Sequence, residues 1–238
     1  MNAMKDKPRR QNESGNVMLY ILIAIVLLAA LSFAISQSGR GNMGNVTRDR
    51  QQLSVSELLQ YADAVKKAVQ ILRLRGIGFS QLDFDDPGLA GHDNVSCTSG
   101  DCKIFDATGG GVVYKEASAA IMTTPGDWIF AANNEVNEIG TTTGTSAGTD
   151  LIMILQPLKK DTCIQINETL HVPNNGVGGD PPDDTDIDIT VPFTGTESYD
   201  SVIGDEGAAT ALGRRLMAAC FREVSSGNYT FYQVLWPR

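Results

Sequence analysis

Val17 to Ile35 reads VMLYILIAIVLLAALSFAI, nineteen residues with no charge and only Tyr20 and Ser32 as polar side chains. A helix of that length reaches roughly 29 Å at about 1.5 Å per residue, close to the hydrocarbon thickness of a bilayer. A run this apolar is expected in lipid, and the rest of the chain is read relative to it. Lys5, Lys7, Arg9 and Arg10 precede the run, against Asp6 and Glu13. Basic residues on that side favour a cytoplasmic N-terminus, which places everything after residue 37 outside the cytoplasm, although Arg40, Arg48 and Arg50 follow the span. A plain uncleaved anchor satisfies this pattern. A cleaved secretory signal is the other ordinary reading, with Ala34-Ile35-Ser36 as its best small-x-small site.

After the span, Ser36 to Arg50 is small, polar and marked by Gly39, Gly41 and Gly44, so the helix is expected to break there. An amphipathic helix is predicted from Ser54, which has capping-box spacing to Glu57. Val55, Leu58, Leu59, Ala62, Val65, Val69 and Leu72 recur at three- and four-residue steps, and Gly76 is its natural stop. Strands are predicted at Gly111–Tyr114, Trp128–Val136, Asp150–Leu155 and Asn228–Trp236, with a long hairpin connection at Gly140–Gly148. Short helices are expected at Thr162–Leu170 and Ala208–Cys220, and a long loop at Pro173–Thr196. The order, one helix followed by mostly strands, is that of an α+β domain with an antiparallel sheet.

All four cysteines lie beyond the span, and the even number suits an oxidising compartment. Cys97 and Cys102 can close a small loop, which leaves Cys163 to pair with Cys220. In the chain-entropy account that longer bridge stabilises by roughly 4 kcal/mol. Zinc is the alternative, but the Cys-x4-Cys spacing has no second close pair and no nearby His. Asp180, Asp183, Asp184, Asp186 and Asp188 fall within nine residues, and Asp184, Asp186 and Asp188 alternate like the start of a calcium loop. Ile189 stands where that loop needs a turn glycine, and Gly195 where it needs an acid, so a solvated acidic loop is the competing reading.

The remaining composition argues against catalysis and nucleic-acid binding. The chain has 19 Lys and Arg against 28 Asp and Glu, a net charge of −9, so phosphate binding has no basic excess to draw on. His92 and His171 are the only histidines, and each is expected at the surface, outside any motif. Gly176-Val-Gly178-Gly179 lacks the preceding strand and following helix of a phosphate loop. The expected class is not an enzyme.

A basic polar leader ending in Gly15, directly before the apolar run, resembles the leader of type IV pilins and type II secretion pseudopilins. The stretch from about residue 150, with Cys163-x-x-x-Asn167 and a late Cys220 before an aromatic last strand, is similar in layout to large minor pilin-like proteins. The resemblance implies cleavage by a prepilin peptidase between Gly15 and Asn16. It implies a leader at 1–15, a transmembrane and assembly helix at 16–37, a linker at 38–52 and an extracytoplasmic head at 53–238. The fold implied is an N-terminal transmembrane helix, then an amphipathic helix packed on an antiparallel sheet, in an α+β head with two disulfides. It further implies a bacterial inner-membrane location, with other pilin-like subunits as partners through the N-terminal helix, and it adds to the calcium expectation. Two positions depart from the family. Asn16 stands where the first mature residue is usually bulky and apolar, and Tyr20 where the fifth is usually Glu. That glutamate pairs with a neighbour's N-terminal amine, and the pseudopilin that lacks it is the one at the filament tip. The implied role is a structural minor or tip subunit, and the rival is an anchored periplasmic binding or adhesion protein that never polymerises.

Overall fold

The computed structural model describes residues 16–40, 43–141, 144–185 and 187–238, and the chain divides into two units, 1–49 and 50–238. Helix α1 runs Asn16–Arg40, and every side chain from Val17 to Ile35 is exposed. A helix apolar on all sides belongs inside protein or inside lipid, and this one is long and apolar enough to cross a membrane. Cleavage after Gly15 concerns a residue outside the described ones.

Helix α2 spans Met43–Leu74, so Ser54 lies inside it and does not cap it. Residues 43–53 contain one glycine and no proline, and nothing in their propensities ends a helix before the apolar face begins. Residues 43–52, expected as linker, are therefore helical. From Val55 onward the three- and four-residue steps do what they predict: Val55, Leu58, Ala62, Val65, Val69 and Leu72 are all buried.

The second unit is built on one six-stranded sheet: β1 (Ile129–Val136), β2 (Asp150–Leu158), β3 (Asp183–Asp184), β4 (Ser201–Ile203), β5 (Ala218–Glu223) and β6 (Tyr229–Trp236). Their spatial order is β3-β5-β6-β2-β1-β4. The four central strands are antiparallel, as the sequence predicts for β1, β2 and β6. The two short edge strands pair parallel to their neighbours, so the sheet is mixed and not simply antiparallel. Helix α3 (Lys160–Leu170) lies where a short helix is predicted.

Successive strand residues point to opposite faces, and here both faces are covered. Leu151, Met153 and Leu155 of β2 join Phe130, Phe231 and the apolar face of α2 in one core. Ile152 and Ile154 join Tyr232, Val234 and Phe221 in a second core, closed by Val172, Ile187, Ile203 and Leu212. Burial on both faces explains why β2 reads as an almost unbroken apolar run.

Two expected elements are absent. Residues 208–217 form no helix, and Ala218–Glu223 is strand β5. Its alternation puts Cys220 in the first core and Ala219 and Phe221 in the second, a period of two that the alanines disguise as helical. Gly111–Tyr114 is not a strand. Its neighbour Lys115 is held through its peptide groups, the N–H donating to Tyr61 Oη at 3.2 Å and the carbonyl accepting from Trp128 Nε1 at 3.0 Å. The glycines before it are needed by close approach: a Cβ on Gly109 would run into the Lys103 carbonyl oxygen.

Candidate functional sites

The apolar surface of α1 is the first candidate, and its chemistry is that of a lipid contact. Leu, Ile and Val side chains each gain roughly 1.5–3 kcal/mol when removed from water, and from Val17 to Ile35 no charge offsets that gain. Tyr20, at the position where the resembled family carries Glu, is exposed on this helix.

The second candidate is the cysteine framework. Cys97 pairs with Cys102 and Cys163 with Cys220, as the spacing predicts, and no cysteine is free among the described residues. The helical step from Cys163 to Asn167 gives this pairing a second fastening. Residues four apart share a helix face, so both point at β5. Cys163 bonds Cys220, while the Asn167 side chain donates to the Cys220 carbonyl at 2.7 Å and accepts from the Cys220 N–H at 2.9 Å. One buried carboxamide thus replaces the ladder partner that β5 lacks at this position. The fastening is structural.

The aspartate run at 180–188 does not gather round one centre. Asp180 pairs with Lys160 at 2.5 Å and Asp183 with Arg222 at 2.8 Å. Asp184 is fully buried and accepts from the Gly204 N–H at 2.7 Å. Asp188 accepts from Asn133 Nδ2 and the Thr190 N–H, both at 2.7 Å; burial disfavours its charge, but hydrogen bonds with the Asp200 carboxyl, then Thr190 and Asn133, hold its pKa below the usual value. Asp186 lies outside the described residues. Among those that are described, no three His, Cys, Asp or Glu side chains are placed to hold a metal ion. Of the calcium set expected from Asp184, Asp186 and Asp188, the two described members accept hydrogen bonds from protein donors.

The histidines divide. His171 is exposed and caps α3 in the left-handed conformation, at φ 59°. His92, expected at the surface, is buried instead, with Nδ1 3.4 Å from the Phe193 carbonyl and its ring edge-on to Phe130. Burial holds its pKa below the usual value. Among the described residues it has no acidic hydrogen-bond partner that would orient it as a base. A groove of about 410 Å³ between α2 and the 115–121 segment is lined by Ser54, Glu57, Tyr61, Lys115 and Trp128. It holds no histidine and no cysteine.

A further polar cluster was not expected from the sequence. Asn134, Glu135 and Asp150 are buried where β1 ends and β2 begins, and all are fully shielded from water. Asp150 accepts from the Val136 N–H at 2.9 Å and the Arg238 N–H at 3.0 Å, so one carboxylate holds the ends of both strands flanking β2. The signal was the polar triplet Asn133-Asn134-Glu135 inside an otherwise apolar strand. In a two-faced sheet those positions can only be buried.

Comparison with protein-family models, with curated proteins and with solved structures finds no match to this chain.

Proposed function

We propose that this chain is a membrane-anchored, pilin-like minor subunit, processed after Gly15, whose apolar helix enters a filament while the disulfide-tied α+β head stays outside the inner membrane. The observation that carries the reading is the join of three features. A basic leader ends in glycine, an uncharged nineteen-residue helix follows with all of its side chains exposed, and α2 buries one regular face on a sheet. Tyr20 in place of the family's glutamate favours a tip or minor position over a bulk repeating one, because a tip subunit has none ahead of it whose amine needs an acid. The role is structural, with prepilin peptidase and neighbouring pilin-like helices as partners.

One observation favours the rival, an anchored head that does not polymerise. The mixed sheet, covered on both faces, departs from the expected antiparallel sheet with a single helix laid on it. The N-terminal mass of the protein recovered from its native membrane separates the two. A chain starting at Asn16, and a Gly15→Ala variant that stays full length, supports processing. An intact Met1 in the unsubstituted chain overturns it and leaves the anchor, while a start beyond Ser36 overturns both in favour of a secreted protein.

A further inference from the structure

We propose that Asp150, buried beside Glu135, is a proton-operated clip: its two N–H bonds suit the carboxylate, but a proton held in this water-free place makes any opening that hydrates Asp150, and so frees the ends of β1 and β6 from β2, costlier as the surroundings acidify. The argument rests on where the groups sit. Asp150 is the first residue of the central strand β2, opposite Asn134 in register. Its two oxygens take the Val136 and Arg238 N–H groups, so each flanking strand end depends on it. Glu135, the next carboxyl along, gives one oxygen to the Gly144 N–H at 2.9 Å. Its other oxygen, Oε1, is buried without a hydrogen-bond partner.

Among the described residues, the groups facing Asp150 are few. Glu135 comes from β1, Tyr232 from β6 and Arg238 from the segment after β6. The one cation among them is turned partly away: Arg238 Nη2 pairs with Glu197 at 3.1 Å, and its guanidinium lies 4.4 Å from the Phe79 ring centre. Arg238 Nη1 has no partner. Two carboxyls and one shared guanidinium in a site shielded from water leave a surplus of negative charge, and a proton removes it.

Burial, with Glu135 adding to it, pushes Asp150 up to about 6 against the opposing pull of its two N–H donors. An unfolded aspartate titrates at about 3.9, so the folded chain binds this proton first. The contribution to stability is therefore present at low pH and lost as pH rises through about 6. Asp83, also raised by burial, acts in the same direction. His92 acts in the opposite one, since its lowered pKa costs stability as pH falls through the usual histidine range. A global melt would mix these, so the test reads single sites.

Side-chain carboxyl carbons of the full chain in detergent micelles are titrated by NMR, with amide exchange followed at Val136 and Arg238. The expected result is an Asp150 midpoint near pH 6, with several-fold greater protection of both amides at pH 5 than at pH 7.5 after correction for intrinsic exchange. Glu135→Gln should move the midpoint down towards the ordinary carboxylate range. An Asp150 midpoint already in that range, or protection that stays flat across the transition, overturns the clip. A midpoint unmoved in Glu135→Gln overturns the part given to Glu135. The titration of the unsubstituted chain stands even where that variant does not fold.

Discussion

The two faces of the sheet are equally dry, and only one of them has a long helix in its cover. On one face α2 supplies Val55, Leu58, Ala62, Val65, Val69 and Leu72 at regular steps, and Ile166 of α3 with Phe84, Ile104 and Phe193 from irregular chain completes the cover. On the other, Val172, Ile187 and Leu212 arrive from three separate points of irregular chain, with Ile203 from the short edge strand β4. Burial thus depends on apolar area removed from water and not on the regularity of what covers it. Regularity decides something else. A helix carries its apolar stripe as one rigid body, whereas irregular chain must have each of its peptide groups satisfied in place. Around the second face this is done by bonds such as Asp184 to the Gly204 N–H, and Asn137 Nδ2 to the Gly204 carbonyl at 2.9 Å.

The comparison can be broken by matched truncations. Phe231→Ala on the helix-covered face and Phe221→Ala on the other remove side chains that are both fully buried, so each should cost about 3–5 kcal/mol in urea unfolding of the full chain. A cost below about 1 kcal/mol for Phe221→Ala would show that the irregular cover is not a core in solution.

The next effect in size is that of the long disulfide. Replacing Cys163 and Cys220 together by serine should lower stability by about 4 kcal/mol, measured on the same unfolding curve. The loss should also be read as faster amide exchange in β5, which the bridge ties to α3. Asn167→Ala tests the second half of that fastening. It strands the buried N–H and carbonyl of Cys220, and should cost about 1–3 kcal/mol with the disulfide intact. Equal exchange rates in β5 before and after the substitution would remove Asn167 from the account.

The smallest expected effect is at the rim of the second face. Arg222→Ala breaks the ion pair with Asp183, but the arginine side chain is 43% exposed, so water already screens the attraction. The change should stay below about 1 kcal/mol. A larger loss would mean that the short β3–β5 pairing depends on this contact and not on its backbone bonds.

How far the sequence could be read follows from which interactions have a period. The apolar run of α1, the stripe of α2 and the strands β1, β2 and β6 are local patterns, and each element lies where its pattern puts it. β5 was misread because Ala, Met and Leu suit a helix locally, while Asn167 and the disulfide hold Cys220 in a strand from a distance. The cysteine pairing was legible because four residues with one short spacing leave few choices. The burial of His92 was not, since it depends on Phe193 and Phe130, both far along the chain.

By itself the sequence determined the membrane-length helix, the helix that follows it, three of the four central strands and the disulfide framework. These follow from local periodicity and from covalent chemistry that only cysteines can perform. Only the tertiary structure decided that the edge strands run parallel, that loop residues close a second core, and that Asp150 fastens two strand ends. Those outcomes depend on which distant groups meet in a water-free place, and the energy of a buried charge or an unpaired N–H is set by that meeting alone.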